Sequence, residues 1–336
     1  MDPVKNAPRR KLPRWVPQAF GYALSAASLA YVLHDYDLSR IPRAIGSLEW
    51  RWVALAVVLD LAVYLMHAWR WNTLLSPVAR LPFWRTVQSI YIGLFANEVL
   101  PLRTGEVIRW YLLAHWNNLH LSLVVASGFI ERMIDGFWMV GTFAITAGLL
   151  KELPKTLTDA VRILTALMAA GALLFGYVLI HKQHAHSIVR ESRWASTLRH
   201  LIEGLHSMGR FKSLSVTVLL SLLYVVIQVL AVWCLMRAYL LDLNLGQAAA
   251  VLTVVRLATV VPNAPGNLGL FQASTLLALT HLEVGRQDAT DFSFVMFAIW
   301  TLPLLLGGAL AVALSGLNLQ EIRLRARSRL DATKTP

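Results

Sequence analysis

Residues 15–33, 214–235 and 292–317 contain no charged side chain. Runs of about 18 or more apolar residues mark membrane spans. In hydrocarbon every backbone N–H and C=O must be satisfied within the protein, so a lone spanning run folds as a helix. The composition agrees: 57% of residues are hydrophobic and 15% charged, against about a quarter charged in a soluble domain. The expected fold class is an all-α polytopic membrane protein. The single cysteine, Cys234, lies within one of the uncharged runs, so there is no disulfide framework and no thiolate metal site.

The chain opens on a basic segment, 1–14, with Lys5, Arg9, Arg10, Lys11 and Arg14. A basic start before an apolar run also fits a cleaved signal peptide, but a retained helix makes the charge map below consistent. A second span is expected at 52–69, closing on Trp69-Arg70-Trp71, a pattern suited to a membrane–water boundary. Asp60 and His67 lie inside it and are expected to be hydrogen-bonded to neighbouring helices. Further spans are expected at 121–150, 160–180, 214–235 and 292–317. Residues 181–212 are basic with apolar residues at helical spacing, which reads as a helix on the head groups. His181, His184 and His186 lack a second ligand cluster, so a solvated loop accounts for them better than a metal site.

Two stretches interrupt this plan. Residues 93–110, GLFANEVLPLRTGEVIRW, follow an apolar run yet carry Asn97, Glu98, Arg103, Glu106 and Arg109. Pro101 and Gly105 break a helix there. Residues 262–267, PNAPGN, interrupt a second apolar region with Pro262, Asn263, Pro265, Gly266 and Asn267. A cytosolic loop would explain the charges but not the apolar flanks. Each is read as a re-entrant helical hairpin, at 84–115 and 246–282. Backbone of that kind is tolerated at depth only where protein or a water-filled cavity surrounds it.

With six full spans and two hairpins, the N-terminus, 70–85, 181–212 and the tail 318–336 fall on one side and carry 19 Lys and Arg, against six in the opposite loops. The richer side is the cytoplasm. The net charge of +12 is then a matter of lipid head groups rather than nucleic acid. Residues 15–150 read span, span, hairpin, span from the cytoplasm, and 160–317 repeat that order from outside. The result is an inverted-topology repeat, with broken segments at matching places in two halves. That arrangement points to a midplane binding site in transporters, and a static channel would fit the same plan.

Glu131 stands about 15 Å into its span, near the middle of a core about 30 Å thick, with Arg132 and Asp135 just beyond it. Each such charge costs about 2.5–3.5 kcal/mol there, so all three need partners. Arg132 and Asp135 are spaced i,i+3 and can pair; Glu131 and Asp135, at i,i+4, repel unless a cation lies between them. Arg103 or Arg109 is expected to supply one. Arg132→Ala is expected to strand both carboxylates. The network is either a structural lock, a substrate contact, or both. Arginine binds phosphate bidentately, and helix N-termini after the breaks suit an anion. The expected ligand is a membrane lipid with a phosphate head group, and no cofactor is called for. No P-loop, H-E-x-x-H or G-x-S-x-G is present.

The run Asn97…Leu100-Pro101-x-Arg103-x-Gly105-Glu106-x2-Arg109, then Glu131-Arg132-x2-Asp135, then Pro265-Gly266-x-Leu268-Gly269, resembles the flippase-like transmembrane region of lysylphosphatidylglycerol synthases. The resemblance covers nearly the whole chain. Gln272 stands where that family usually has a glutamate, and Asn267 where glycine is common. The soluble synthase domain has no counterpart here. The resemblance implies a multi-pass inner-membrane protein of bacteria or archaea, with cytoplasmic termini, that moves a lipid between leaflets. Asn97, Arg103, Glu106, Arg109, Glu131, Arg132, Asp135, Arg256, Asn263, Asn267 and Gln272 form its expected site. The alternatives are an integral-membrane lipid-modifying enzyme, its lipid-presenting subunit, or a scaffold for such an enzyme partner.

Overall fold

The computed structural model describes residues 15–34, 36–37, 39–100, 104–146, scattered positions between 159 and 173, residue 208, and residues 211–261 and 263–316. Every regular element among them is helical: α1 (Trp15–Leu33), α2 (Arg40–Gly46), α3 (Trp50–Leu75), α4 (Phe83–Val99), α5 (Gly105–Trp116), α6 (Leu121–Thr146), α7 (Phe211–Ala238), α8 (Leu245–Ala258), a 3-10 turn at Pro265–Asn267, α9 (Leu270–His281) and α10 (Arg286–Leu314). The expected span at 160–180, the surface helix at 181–212, the basic N-terminus and the tail lie largely or wholly outside the described residues.

By length and composition, α3, α7 and α10 each suffice to cross a membrane. At 26 residues, α6 is about 39 Å long and long enough as well, but it carries the three charges at 131, 132 and 135. Large apolar side chains point outward, among them Leu219 and Leu223 on α7 and Leu306, Leu310 and Leu314 on α10. Helices that are apolar on both faces belong in lipid.

Two cores hold the helices. One joins α7, α8, α9 and α10 through Val232, Leu235, Val251, Leu276, Phe292 and Met296. The other joins α3 to α4, α5 and α6 through Trp71, Leu74, Ile90, Leu113, Val124 and Ile130. α3 and α7 pack along each other. α4 lies on α10, and α8 lies on α6. The first arm of each broken pair thus rests on the last long helix of the other half.

Both breaks are built from local chemistry. α4 ends at Val99 and α5 begins at Gly105, so this helix–break–helix spans 83–116. The Asn97 side chain reaches over the break and accepts from Gly105 N–H at 2.8 Å, satisfying one of the orphan donors at a helix start. At the second break Gly266, Asn267 and Gly269 take positive φ values of 68°, 55° and 86°. Ser25 Oγ of α1 accepts from Ala264 N–H at 3.0 Å, and Gln272 Oε1 accepts from Gly269 N–H at 2.7 Å. An Asn244–Gln247 capping box starts α8.

Two differences from the sequence reading follow. Residues 34–51 contain a short helix, α2, tied through Arg40 to Asp288 at 3.0 Å and to buried Asp291 at 3.3 Å. Arg70 is not at an exposed helix end: α3 continues to Leu75, with Trp71, Leu74 and Leu75 extending its buried face. Arg70 itself is 1% exposed. Without it, the count of Lys and Arg is 18 against six.

Candidate functional site

The two breaks meet. A Cβ on Gly266 would lie 2.8 Å from Glu98 Oε2, so the second break passes directly against the end of α4. Between them lies a cavity of about 490 Å³. Of the expected site residues, Asn97, Glu106, Arg132, Asp135, Arg256, Asn263 and Asn267 line it, together with Pro265 and Gly266 of the second break. Asp60, Tyr64 and His67 of α3, Glu98 of α4, Tyr224 and Gln228 of α7, and Trp300 of α10 add further polar side chains to the wall.

Four expected residues stand elsewhere. Arg109 and Glu131 sit behind the cavity wall, 1% and 3% exposed. Gln272 is fully buried and caps the start of α9. Gly105 packs against Gly93 rather than the cavity. Arg103, Pro101 and Pro262 lie outside the described residues.

Glu131 is the hub of the charge network. Its Oε1 takes Arg132 at 2.6 Å, Arg109 at 3.0 Å, His67 at 3.0 Å and Arg70 at 3.3 Å. Its Oε2 has no hydrogen-bond partner. Arg70 also pairs with Asp135, Arg132 reaches Asp135 at 3.4 Å, and Arg109 reaches Glu106 at 2.7 Å. Three guanidiniums therefore face three carboxylates. The aromatic rings take the remaining faces: Arg109 lies 4.8 Å over Trp71, and Arg70 lies 4.9 Å over Tyr224. Cation–π contacts of this kind are worth about 2 kcal/mol when desolvated. His67 Nε2 contacts both Glu131 and Arg109, at 3.0 and 2.9 Å. It can donate to the carboxylate or accept from the guanidinium, but not both at once.

The expected cation between Glu131 and Asp135 is accordingly Arg70, with Arg109 joining Glu131 to Glu106. Arg109 spends its donors on this lock, so a phosphate contact is not its role in this arrangement. Arg132 is peripheral, with its side chain 51% exposed on the cavity wall. The expectation that Arg132→Ala strands two carboxylates is corrected: Glu131 keeps Arg70, Arg109 and His67, and Asp135 keeps Arg70. Half-exposed ion pairs contribute about 0.2–1 kcal/mol. Arg132→Ala should therefore cost about 1 kcal/mol or less, read as a small shift in detergent melting temperature. Failure to recover folded protein would show that Arg132 bears the network after all.

Arg256 differs from the other cavity guanidiniums. It hydrogen-bonds neutral Gln228 and lies 5.6 Å over the Tyr224 ring, with no carboxylate in its ion pairs among the described residues. Trp300 Nε1 is a buried donor without a partner. Both residues line the cavity.

The sequence reading missed Arg70, Tyr224 and Gln228. A signal for Arg70 exists. Asp60, Val63, Tyr64, His67, Arg70 and Trp71 fall at i, i+3, i+4, i+7, i+10 and i+11 on one face of α3, the pattern of an inward stripe.

The model of the lysylphosphatidylglycerol synthase transmembrane region matches residues 18–308. The chain belongs to that family. Among curated relatives, a UPF0104 membrane protein of Methanothermobacter thermautotrophicus is 24% identical over 277 residues, covering 75% of this chain and 80% of its own. A UPF0104 membrane protein of Methanocaldococcus jannaschii is 25% identical over 191 residues, 55% of this chain and 79% of its own. No solved structure matches the chain. Membership in this transmembrane-region family and the apolar helices together make this a multi-pass membrane protein. The matched residues include both breaks and all three motifs.

Proposed function

We propose that this protein is an inner-membrane flippase, or lipid-head-group transporter, that moves an anionic or modified lipid between leaflets through the cavity between its two breaks. The observation that carries this is the polar cavity itself: it is lined by both broken segments, from both halves of the chain. Its volume of about 490 Å³ lies within the range of about 300–1,000 Å³ for small-ligand sites. That suffices for a head group, while acyl chains stay in the surrounding hydrocarbon. Arg256 and half-exposed Arg132 are donors suited to a phosphate.

The packing supports reading the breaks as re-entrant hairpins of an inverted repeat. α3 and α7 are the second spans of the two halves and lie together. α4 on α10 and α8 on α6 are the same contact with the halves exchanged. Hairpins approaching from opposite faces meet at the midplane, and six full spans with cytoplasmic termini complete the arrangement.

The test is reconstitution of purified protein in phosphatidylcholine vesicles containing a fluorescent anionic phospholipid. Leaflet exchange of unmodified probe is expected. A charge-assisted hydrogen bond is worth about 1.5–3 kcal/mol, so Arg256→Gln should slow exchange by about tenfold or more with little change in melting temperature. A covalently altered probe in mass spectra would instead identify an enzyme. Absence of both exchange and product would favour a scaffold for a partner enzyme.

A further inference from the structure

Asp60 stands apart from the other carboxylates described above. It lies on α3, 8% exposed, on the cavity wall. Its Oδ2 has no hydrogen-bond partner, and no ion pair reaches it among the described residues. The groups around it explain this isolation. On its own helix Tyr64 lies one turn on, and His67 is committed to Glu131 and Arg109. From α4 come Tyr91, whose ring packs 5.0 Å from that of Tyr64, and Glu98, a second carboxyl on the cavity wall. From α7, Tyr224 faces Tyr64 and carries Arg70 and Arg256 on its ring. From α6, Arg132 and Asp135 pair with each other and with Glu131 and Arg70. From α10 the wall is Phe297, Trp300, Thr301 and Leu304, none of them charged.

A carboxylate buried with phenols and no cation is held better as the neutral acid. A metal ion is a poorer occupant: hard cations such as Ca²⁺ take six to eight oxygens, and no group of three or more His, Cys, Asp or Glu that could hold a metal is found among the described residues.

We propose that Asp60 is a proton-binding site of the cavity, and that its proton is carried together with a lipid anion. The second half rests on the transport reading above. The charge balance favours it. The network centred on Glu131 is neutral, with three guanidiniums and three carboxylates. Outside it, Arg256, Asp60 and Glu98 are the charged side chains that line the cavity. A phosphate arriving at Arg256 adds one negative charge at depth, and one proton on Asp60 removes it. The proton enters from the side to which the cavity opens and leaves with the lipid on the other side, so a proton gradient would drive the lipid.

Two measurements test this. The first is infrared difference spectroscopy of the purified full chain, titrated between about pH 5 and about pH 9, a range that covers documented buried carboxyls. A protonated-carboxyl C=O band that titrates in the wild type and is absent in Asp60→Asn is the expected result. Should Asp60→Asn not fold, Asp60→Glu should shift the same band. A spectrum with no band that responds to either variant overturns the proton site. The second uses the vesicles with the fluorescent anionic phospholipid, with and without an imposed pH gradient. The ratio of the two exchange rates should be at least about fivefold for wild type and about one for Asp60→Asn. Exchange that ignores the gradient in wild type, or responds equally in Asp60→Asn, overturns the proton as co-cargo. If wild type shows no exchange at all, the transport reading and the co-cargo claim fall together, and the infrared titration still decides the site.

Discussion

Glu131→Gln should lose most of its folded population, or melt far below wild type, because it leaves three guanidiniums facing two carboxylates inside the protein. Arg70 and Arg109 are each 1% exposed and both rest on Glu131 Oε1. Removing one partner from a buried ion pair costs about 3–5 kcal/mol, because the charge left behind is uncompensated. The amide keeps the size and still offers an oxygen, so the loss reads charge rather than packing. Melting temperature and the yield of monodisperse protein in detergent are the measurements. A compensating change sharpens the result. Adding Arg109→Gln to Glu131→Gln restores equal numbers, and the double variant should be more stable than Glu131→Gln alone. Such coupling between contacting residues is typically about 0.5–3 kcal/mol. Wild-type melting in Glu131→Gln would mean that Arg70 and Arg109 are hydrated, and the network would no longer count as a lock.

The same network shows what the sequence does and does not disclose. Helices α1, α7 and α10 were legible within a few residues because hydrocarbon excludes charges, and their runs have none. Both breaks were legible because Pro and Gly interrupt apolar segments by known backbone effects. Glu131 was legible as a buried acid that needs a cation. Its partners were not. Arg109 was one of two options, and Arg70 was read as a boundary residue because a tryptophan flanks it on each side. Which side of a helix a residue occupies decided the matter: Trp69 is 55% exposed while Arg70 and Trp71 are buried. Gln272 was named from its place in a motif, but its oxygen caps α9, an outcome set by the positive φ of Gly269. The short helix α2 was hidden in a stretch of mixed charge, and what holds it is Arg40 bridging to α10 some 250 residues away in sequence, a contact with no local signal. Arg256 was read as one of several arginines near the breaks. That it lacks a carboxylate partner among the described residues depends on how the other acids are paired, which the assembled helices settle.

Gly105→Ala should be the most damaging single-methyl change in the first broken pair. The added Cβ would fall 1.8 Å from Gly93 O and 2.6 Å from Asn97 Oδ1, both distances that require the backbone to move. Gly93 on α4 and Gly105 on α5 let the two helices approach closely, and one turn further on Asn97 and Arg109 leave that seam for the break and for Glu131. A Cβ on Gly93 would likewise meet Arg109 Cβ at 2.7 Å. Overpacking alone costs about 1–3 kcal/mol, occasionally more. Here α5 must also shift, taking Arg109 from Glu131 and Gly105 N–H from Asn97, so the loss should lie at or above the top of that range. Gly141→Ala is the matched control. Gly141 lies within α6 with nothing within 4 Å of an added Cβ, and alanine there should stabilise the helix by about 0.5–1 kcal/mol. Melting temperatures of the two variants should therefore move in opposite directions from wild type. Any Gly105→Ala protein that remains folded should have a displaced α5, with Glu106 moved on the cavity wall and lipid exchange reduced. If Gly105→Ala melts with wild type while Gly141→Ala behaves as expected, the close approach of α4 and α5 is not what holds the break in place.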